Sequence, residues 1–106
     1  KKLLNLKKPP TAIICSLDKY FIGCLQECQE RGLSTPKDIS IVGYNDHDNY
    51  LSSQNLTFIS HPLLSMGQES VQILKNIERG EKPNDQIKLI EPILHEGKSD
   101  GHLKKT

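Results

Sequence analysis

Short apolar runs alternate along this chain with longer stretches in which apolar residues recur every three to four positions, the rhythm of strands interleaved with helices. The run Thr11-Ala-Ile-Ile-Cys15 is apolar and β-branched, which predicts a buried strand over 11–15. Ser16 is placed to cap a following helix, with Asp18 in its first turn. That helix is expected to run to about Arg31, since Phe21, Ile22, Leu25 and Cys28 keep helical spacing and Gly32 with Leu33 suits a C-terminal stop. A second apolar run predicts a strand over 39–42, ending at Gly43. Its lack of polar alternation points to a sheet covered on both faces, and strand–helix–strand order forces parallel pairing.

Further on, 47–55 is rich in Asp, Asn and Ser and reads as an exposed irregular loop. Residues 56–60 predict a third strand, broken by His61-Pro62. A second helix is expected over 63–79, with Met66, Val71, Leu74 and Ile77 turned inward and Gly80 ending it. Residues 81–86 form a polar turn, 87–90 and 92–94 a final strand pair or one broken strand, and 98–106 a polar frayed tail. At the other end, 1–8 reads as the close of a helix stopped by Pro9-Pro10. The fold class is therefore α/β: a parallel sheet flanked by helices.

Composition narrows function more than fold. At 106 residues the chain has room for one small domain or part of a larger one, and without Trp and with only two Phe its core must be aliphatic. A net charge of +1 gives no case for nucleic acid or an anionic membrane, and no apolar run is long enough to span a bilayer. Cys15, Cys24 and Cys28 are odd in number and lack C-x-x-C spacing, which favours small apolar filler and a reducing cytoplasm. His47 with Asp46 and Asp48 is a poor metal set, because adjacent loop residues rarely converge on one ion. No metal and no cofactor are expected, and no convergent nucleophile, acid and base can be assembled for an enzyme. In open α/β sheets ligands meet the carboxyl ends of strands, where Tyr44, Asn45 and Asp46 fall.

Six pieces in order carry a family resemblance: Pro10-Thr-Ala-Ile-Ile-Cys-Ser-Leu-Asp18, Ile22-Gly-Cys24, Glu30-Arg-Gly-Leu33, Pro36-Lys-Asp-Ile-Ser-Ile-Val-Gly-Tyr-Asn-Asp46, Leu56-Thr-Phe-Ile-Ser-His-Pro62 and Met66-Gly67. Over residues 9–99 the chain resembles the C-terminal end of LacI/GalR-type bacterial transcription regulators. The resemblance implies part of a type I periplasmic-binding-protein-like core, in which two α/β subdomains close over a small-molecule effector such as a sugar or a related compound. It implies that 1–55 belongs to the C-terminal effector-binding subdomain, that 56–84 is a crossover strand and helix of the N-terminal subdomain, and that 85–106 is a returning strand and tail. The apolar face of the 63–79 helix would then need another partner. DNA would be bound only through an N-terminal helix-turn-helix absent from this chain, which by itself should not bind operator.

The same resemblance implies the site residues. Leu17 falls where the family commonly has an asparagine, Asn45 where it has an aspartate, and His61 where it has a glutamine. With Asp46 these four are the expected ligand contacts, although Asp46 also suits loop support. Gly97 stands where an arginine is usual. A homodimer is implied through helix 18–31 and loop 47–55, with Lys19, Tyr20, Ile22 and Leu51 as contacts. The alternative is a fragment of a solute-binding protein of a transporter, with the same core and no DNA-binding head.

Overall fold

The computed structural model of the chain describes residues 1–82 and 88–103. A short 3-10 turn, Leu3–Asn5, precedes β1 (Ala12–Ile14), α1 (Asp18–Glu30), β2 (Ser40–Tyr44), α2 (Tyr50–Ser53), β3 (Phe58–Ser60), α3 (Leu63–Glu78) and β4 (Ile93–His95). The strands lie in the order β1-β2-β3-β4. β1 pairs parallel with β2, Ile13 opposite Ile41, and β2 pairs parallel with β3, Gly43 opposite Phe58. The expected parallel α/β sheet is thus present. The chain divides into two compact units, Lys1–Ser60 with Leu94–Thr106, and His61–Ile93. These divisions fall at 60/61 and 93/94 and leave β3 with the first unit.

The first unit holds the core. Phe21 and Cys28 from α1 meet Ile39 and Ile41 of the β2 segment, Phe58 of β3, and Cys15, Leu51 and Leu56 from the connections. Helix α1 ends as its sequence suggests. Gly32 takes φ 71°, the Leu33 amide donates to the Cys28 carbonyl at 2.9 Å, and the Gly32 amide donates to Gln29 at 3.0 Å. These two bonds satisfy carbonyls the helix end would otherwise leave open. Its start differs from expectation: Leu17, extended at φ −144°, is the capping residue and no side chain caps the turn, so Ser16 does not serve as the N-cap. Gly43 is required by close approach, since a Cβ there would sit 2.7 Å from Leu51 Cδ1 and 3.0 Å from the Phe21 ring.

Two polar stretches hold more structure than expected. Within 47–55 lies α2, whose Leu51 is fully buried. The tail is anchored rather than frayed as far as Gly101. Where β3 no longer pairs with the first half of β2, Ser99 fills the ladder: its carbonyl accepts from the Ile41 amide at 2.8 Å. Its hydroxyl donates to the Ile41 carbonyl at 2.7 Å and accepts from the Thr57 amide at 2.8 Å. The Gly97 amide donates to Thr57 Oγ1 at 3.0 Å, and a Cβ on Gly97 would fall within 3.0 Å of the Asn55 and Leu56 backbone. No side chain fits there, which is a local reason for glycine.

In the second unit α3 closes on Gly80, φ 92°, with the Glu81 amide donating to Asn76 at 3.0 Å. Met66, Val71, Leu74 and Ile77, expected inward, are exposed, and α3 has no buried residue. Leu63, Leu64, Val71 and Gln68 border an open hollow of about 540 Å³ on this helix. The final strand spans only Ile93–His95, and residues 88–90 are not in a strand. The remaining expectations at 83–87 and 104–106 lie outside the described residues. Among the described residues no helix is long and apolar enough to cross a membrane.

Candidate functional site

The register of β1 and β2 brings their carboxyl ends side by side. Ile14 lies opposite Val42, and the Cys15 amide continues the ladder by donating to the Val42 carbonyl at 2.8 Å. Leu17 follows three residues beyond the end of β1 and Asn45 one residue beyond the end of β2. Leu17 is exposed at the start of α1, and Asn45 is half-buried. Asn45 adopts φ 63°, a left-handed conformation that an asparagine tolerates better than most residues. Its amide donates to the Ile59 carbonyl at 2.7 Å, which ties the turn to β3. These placements put both residues at the sheet end where α/β folds meet ligands.

Two carboxylates build the loop behind Asn45. Asp46 Oδ1 accepts from the Leu51 amide at 2.8 Å, and Oδ2 accepts from the Ser52 amide at 2.9 Å and its hydroxyl at 2.7 Å. Both oxygens are therefore engaged within the loop, and Asp46, expected among the ligand contacts, is a support for α2. Burial acts to raise its pKa, but the bonds from Ser52 and Leu51 outweigh that and hold it below the usual carboxylate range. Asp18 is 5% exposed and acts across the gap. Oδ1 accepts from the Lys19 amide at 2.8 Å, and Oδ2 accepts from the His47 amide at 2.8 Å and lies 3.1 Å from His47 Nδ1. The start of α1 and the loop after β2 are thereby fastened together. The His47 amide is the largest cause of a lowered Asp18 pKa.

That shift gives a testable pH dependence. A carboxylate with a depressed folded pKa stabilises the fold above its unfolded value, here 3.8, and the contribution disappears as pH falls through the folded value. Asp18→Asn is expected to flatten the loss of stability as pH falls below 3.8. It should also cost about 1–2 kcal/mol at pH 7, since one charged acceptor is lost. Urea titrations at several pH values check both.

The remaining candidates separate. His61 belongs to the second unit and is exposed. Lys19, Tyr20 and Ile22 are exposed on α1, Tyr20 at 60% and Ile22 at 37%. Leu51, expected as a dimer contact, is sealed in the chain's own core and has no surface to offer a partner. Its neighbour Tyr50 is 38% exposed and stands on the outside of α2 instead. Asp46 and His47 turn to different partners, Ser52 and Asp18, so they do not converge on an ion. Burial pushes all three thiols up, Cys28 to about 11, so at neutral pH they are protonated packing groups. Sequence reading missed the Asp18–His47 and Ser99–Thr57 links, because partners 29 and 42 residues apart leave no local pattern.

Residues 1–99 match the family described as periplasmic binding protein-like domain. The HTH-type transcriptional repressor PurR of Glaesserella parasuis is 39% identical over 85 residues, covering 79% of this chain and 24% of that protein. The HTH-type transcriptional repressor CytR of Escherichia coli K12 is 33% identical over 82 residues, covering 76% of this chain and 24% of that protein. The chain thus spans about a quarter of the length of these relatives. Among solved structures, the dimeric Lac repressor with an 11-residue C-terminal deletion superposes with a TM-score of 0.73 at 27% identity, over 90% of this chain and 35% of that one. The chain therefore belongs to the periplasmic-binding-protein-like domain family, and its similarities within that family are to LacI-type transcriptional regulators.

Proposed function

We propose that this chain forms the effector-binding and dimerisation part of a ligand-responsive, non-enzymatic, cytoplasmic LacI-type transcriptional regulator. The observation that carries the reading is the parallel register of β1 and β2, which sets Leu17 and Asn45 at one end of the sheet. Leu17 supplies an apolar wall and Asn45 an amide that both donates and accepts. His61 contributes from the crossover into the second subdomain. Asp46 and Asp18 stiffen the loop that carries Asn45 and leave no unoccupied carboxylate of their own for a polyol. A small molecule bound there draws two subdomains together and so repositions DNA-binding heads carried elsewhere in the protein.

The exposed Lys19, Tyr20 and Ile22 of α1 form the homodimer face, with Tyr50 added in place of Leu51. The α3 segment serves the N-terminal subdomain, and its exposed Leu63, Leu64, Val71 and Leu74 are the surface that subdomain covers. The test is operator affinity of the intact protein across a panel of sugars, sugar phosphates, nucleobases and nucleosides. At least one class should change that affinity by about tenfold, the scale of an ordinary coupling free energy. DNA affinity indifferent to every class, or a specific operator shift by residues 1–106 alone, would overturn the reading.

A further inference from the structure

Three free thiols meet in the first unit. Sequence spacing sets Cys24 and Cys28 one turn apart on α1, and the fold adds Cys15 from the residue after β1. Cys24 is the middle member, its sulfur within hydrogen-bonding reach of both others. Cys28 is fully enclosed, whereas Cys15 and the half-buried Cys24 form part of the wall of a cavity of about 470 Å³ between the first residues, β1 and α1. Lys1 and Lys19 line the same cavity. Its lining carboxylate, Glu27, is engaged by Arg31 at 2.7 Å and by Lys1 at 3.8 Å. Two sulfurs thus share a space with two ammonium groups.

We propose that Cys15 and Cys24 form a two-coordinate site for a soft, thiophilic cation, Cu(I) above all. Thiolates select Cu(I), zinc or the iron of iron–sulfur clusters. Tetrahedral zinc and iron–sulfur clusters need larger ligand sets. Among the described residues, no group of three or more His, Cys, Asp or Glu side chains is placed to hold an ion. A pair of sulfurs remains, and a linear pair is a geometry that Cu(I) accepts. Binding forms two S–Cu bonds and releases two thiol protons, with no change of oxidation state. Burial disfavours the bare thiolates, but a thiol that coordinates a metal is deprotonated outright. Cu(I) with two thiolates carries one net negative charge, which the ammonium groups of Lys1 and Lys19 offset. Cys28 does not line the cavity and stays a packing group. The inference does not rest on any effector or on DNA.

Alkylation of Cys24 by iodoacetamide in the intact protein tests it, read by peptide mass without oxygen, with Cu(I) buffered by bicinchoninate as the probe. Cu(I) is expected to slow modification of Cys24 at least about tenfold, because the ion occupies the attacking sulfur. Zn(II) at the same free concentration should give no protection. Cys15→Ala, or Cys15→Ser where alanine disturbs the circular dichroism, should abolish the protection by Cu(I), and Cys28→Ala should keep it. Alkylation unchanged by Cu(I), or slowed as much by Zn(II), would overturn the site from the wild-type protein alone. So would full protection in the Cys15 variant, or lost protection in a folded Cys28→Ala, which would make Cys24 and Cys28 the pair.

Discussion

Leu51→Ala is expected to lower the unfolding free energy by about 2–5 kcal/mol, the ordinary cost of emptying a leucine site in a core. Leu51 is wholly enclosed, and its Cδ1 lies against the face of Gly43 where even a Cβ would not fit. The surrounding Phe21 and Phe58 are held by α1 and β3, so the site has little freedom to collapse. Ile22→Ala should behave in the opposite way. Ile22 is exposed on α1, so its removal should cost under ~1 kcal/mol of stability, while weakening self-association through the proposed dimer face by about 1–2 kcal/mol. Urea midpoints and sedimentation velocity on the two variants separate the roles. A stable Leu51→Ala that fails to dimerise would return Leu51 to the interface.

Ser99→Ala carries the second large effect, about 2–4 kcal/mol. One buried hydroxyl serves two backbone groups, taking the Thr57 amide and giving to the Ile41 carbonyl. Alanine would leave both unpaired in a site from which water is excluded, and each such group costs about 1–3 kcal/mol. Because Ile41 also donates to the Ser99 carbonyl, the tail replaces a missing stretch of β3 beside β2. Chemical denaturation of Ser99→Ala checks this, and a loss below ~0.5 kcal/mol would show that the Ser99 hydroxyl adds nothing to the stability of the ladder.

The core strand–helix–strand unit was legible because its signals are local. β-branched runs marked β1 and β2, and Gly32 with Leu33 marked the end of α1. The loop after Asn45 was not legible. Asp, Asn and Ser read as solvent-exposed turn formers, yet three asparagines, at 45, 49 and 55, take left-handed backbone angles that fold the segment tightly over the core. A single leucine in that polar run gives no periodicity, so Leu51 looked like surface. The tail misled for a related reason: its polar side chains pay no hydrophobic signal, and Ser99 acts through partners far away in sequence. Helix α3 shows the reverse case. Its apolar stripe was read correctly as a pattern, but a pattern states which face seeks cover, and among the described residues nothing buries it.

At the site, the sheet end was legible and the division of labour was not. Asn45 and Asp46 are adjacent in sequence, but the left-handed turn at Asn45 sends Asp46 back onto α2. Asp18 looked like a helix-end charge acting on its own turn, whereas its second oxygen holds His47 across the gap.

The response of operator binding to the active small molecule, compared between the intact protein and Asn45→Ala, bears most directly on the role given to the paired strand tips. Asn45→Ala is expected to bind operator as tightly as the parent without the compound, and to need about tenfold more of it for the same response, because a hydrogen-bonding partner of the ligand is gone. Superimposable dose–response curves would contradict the account.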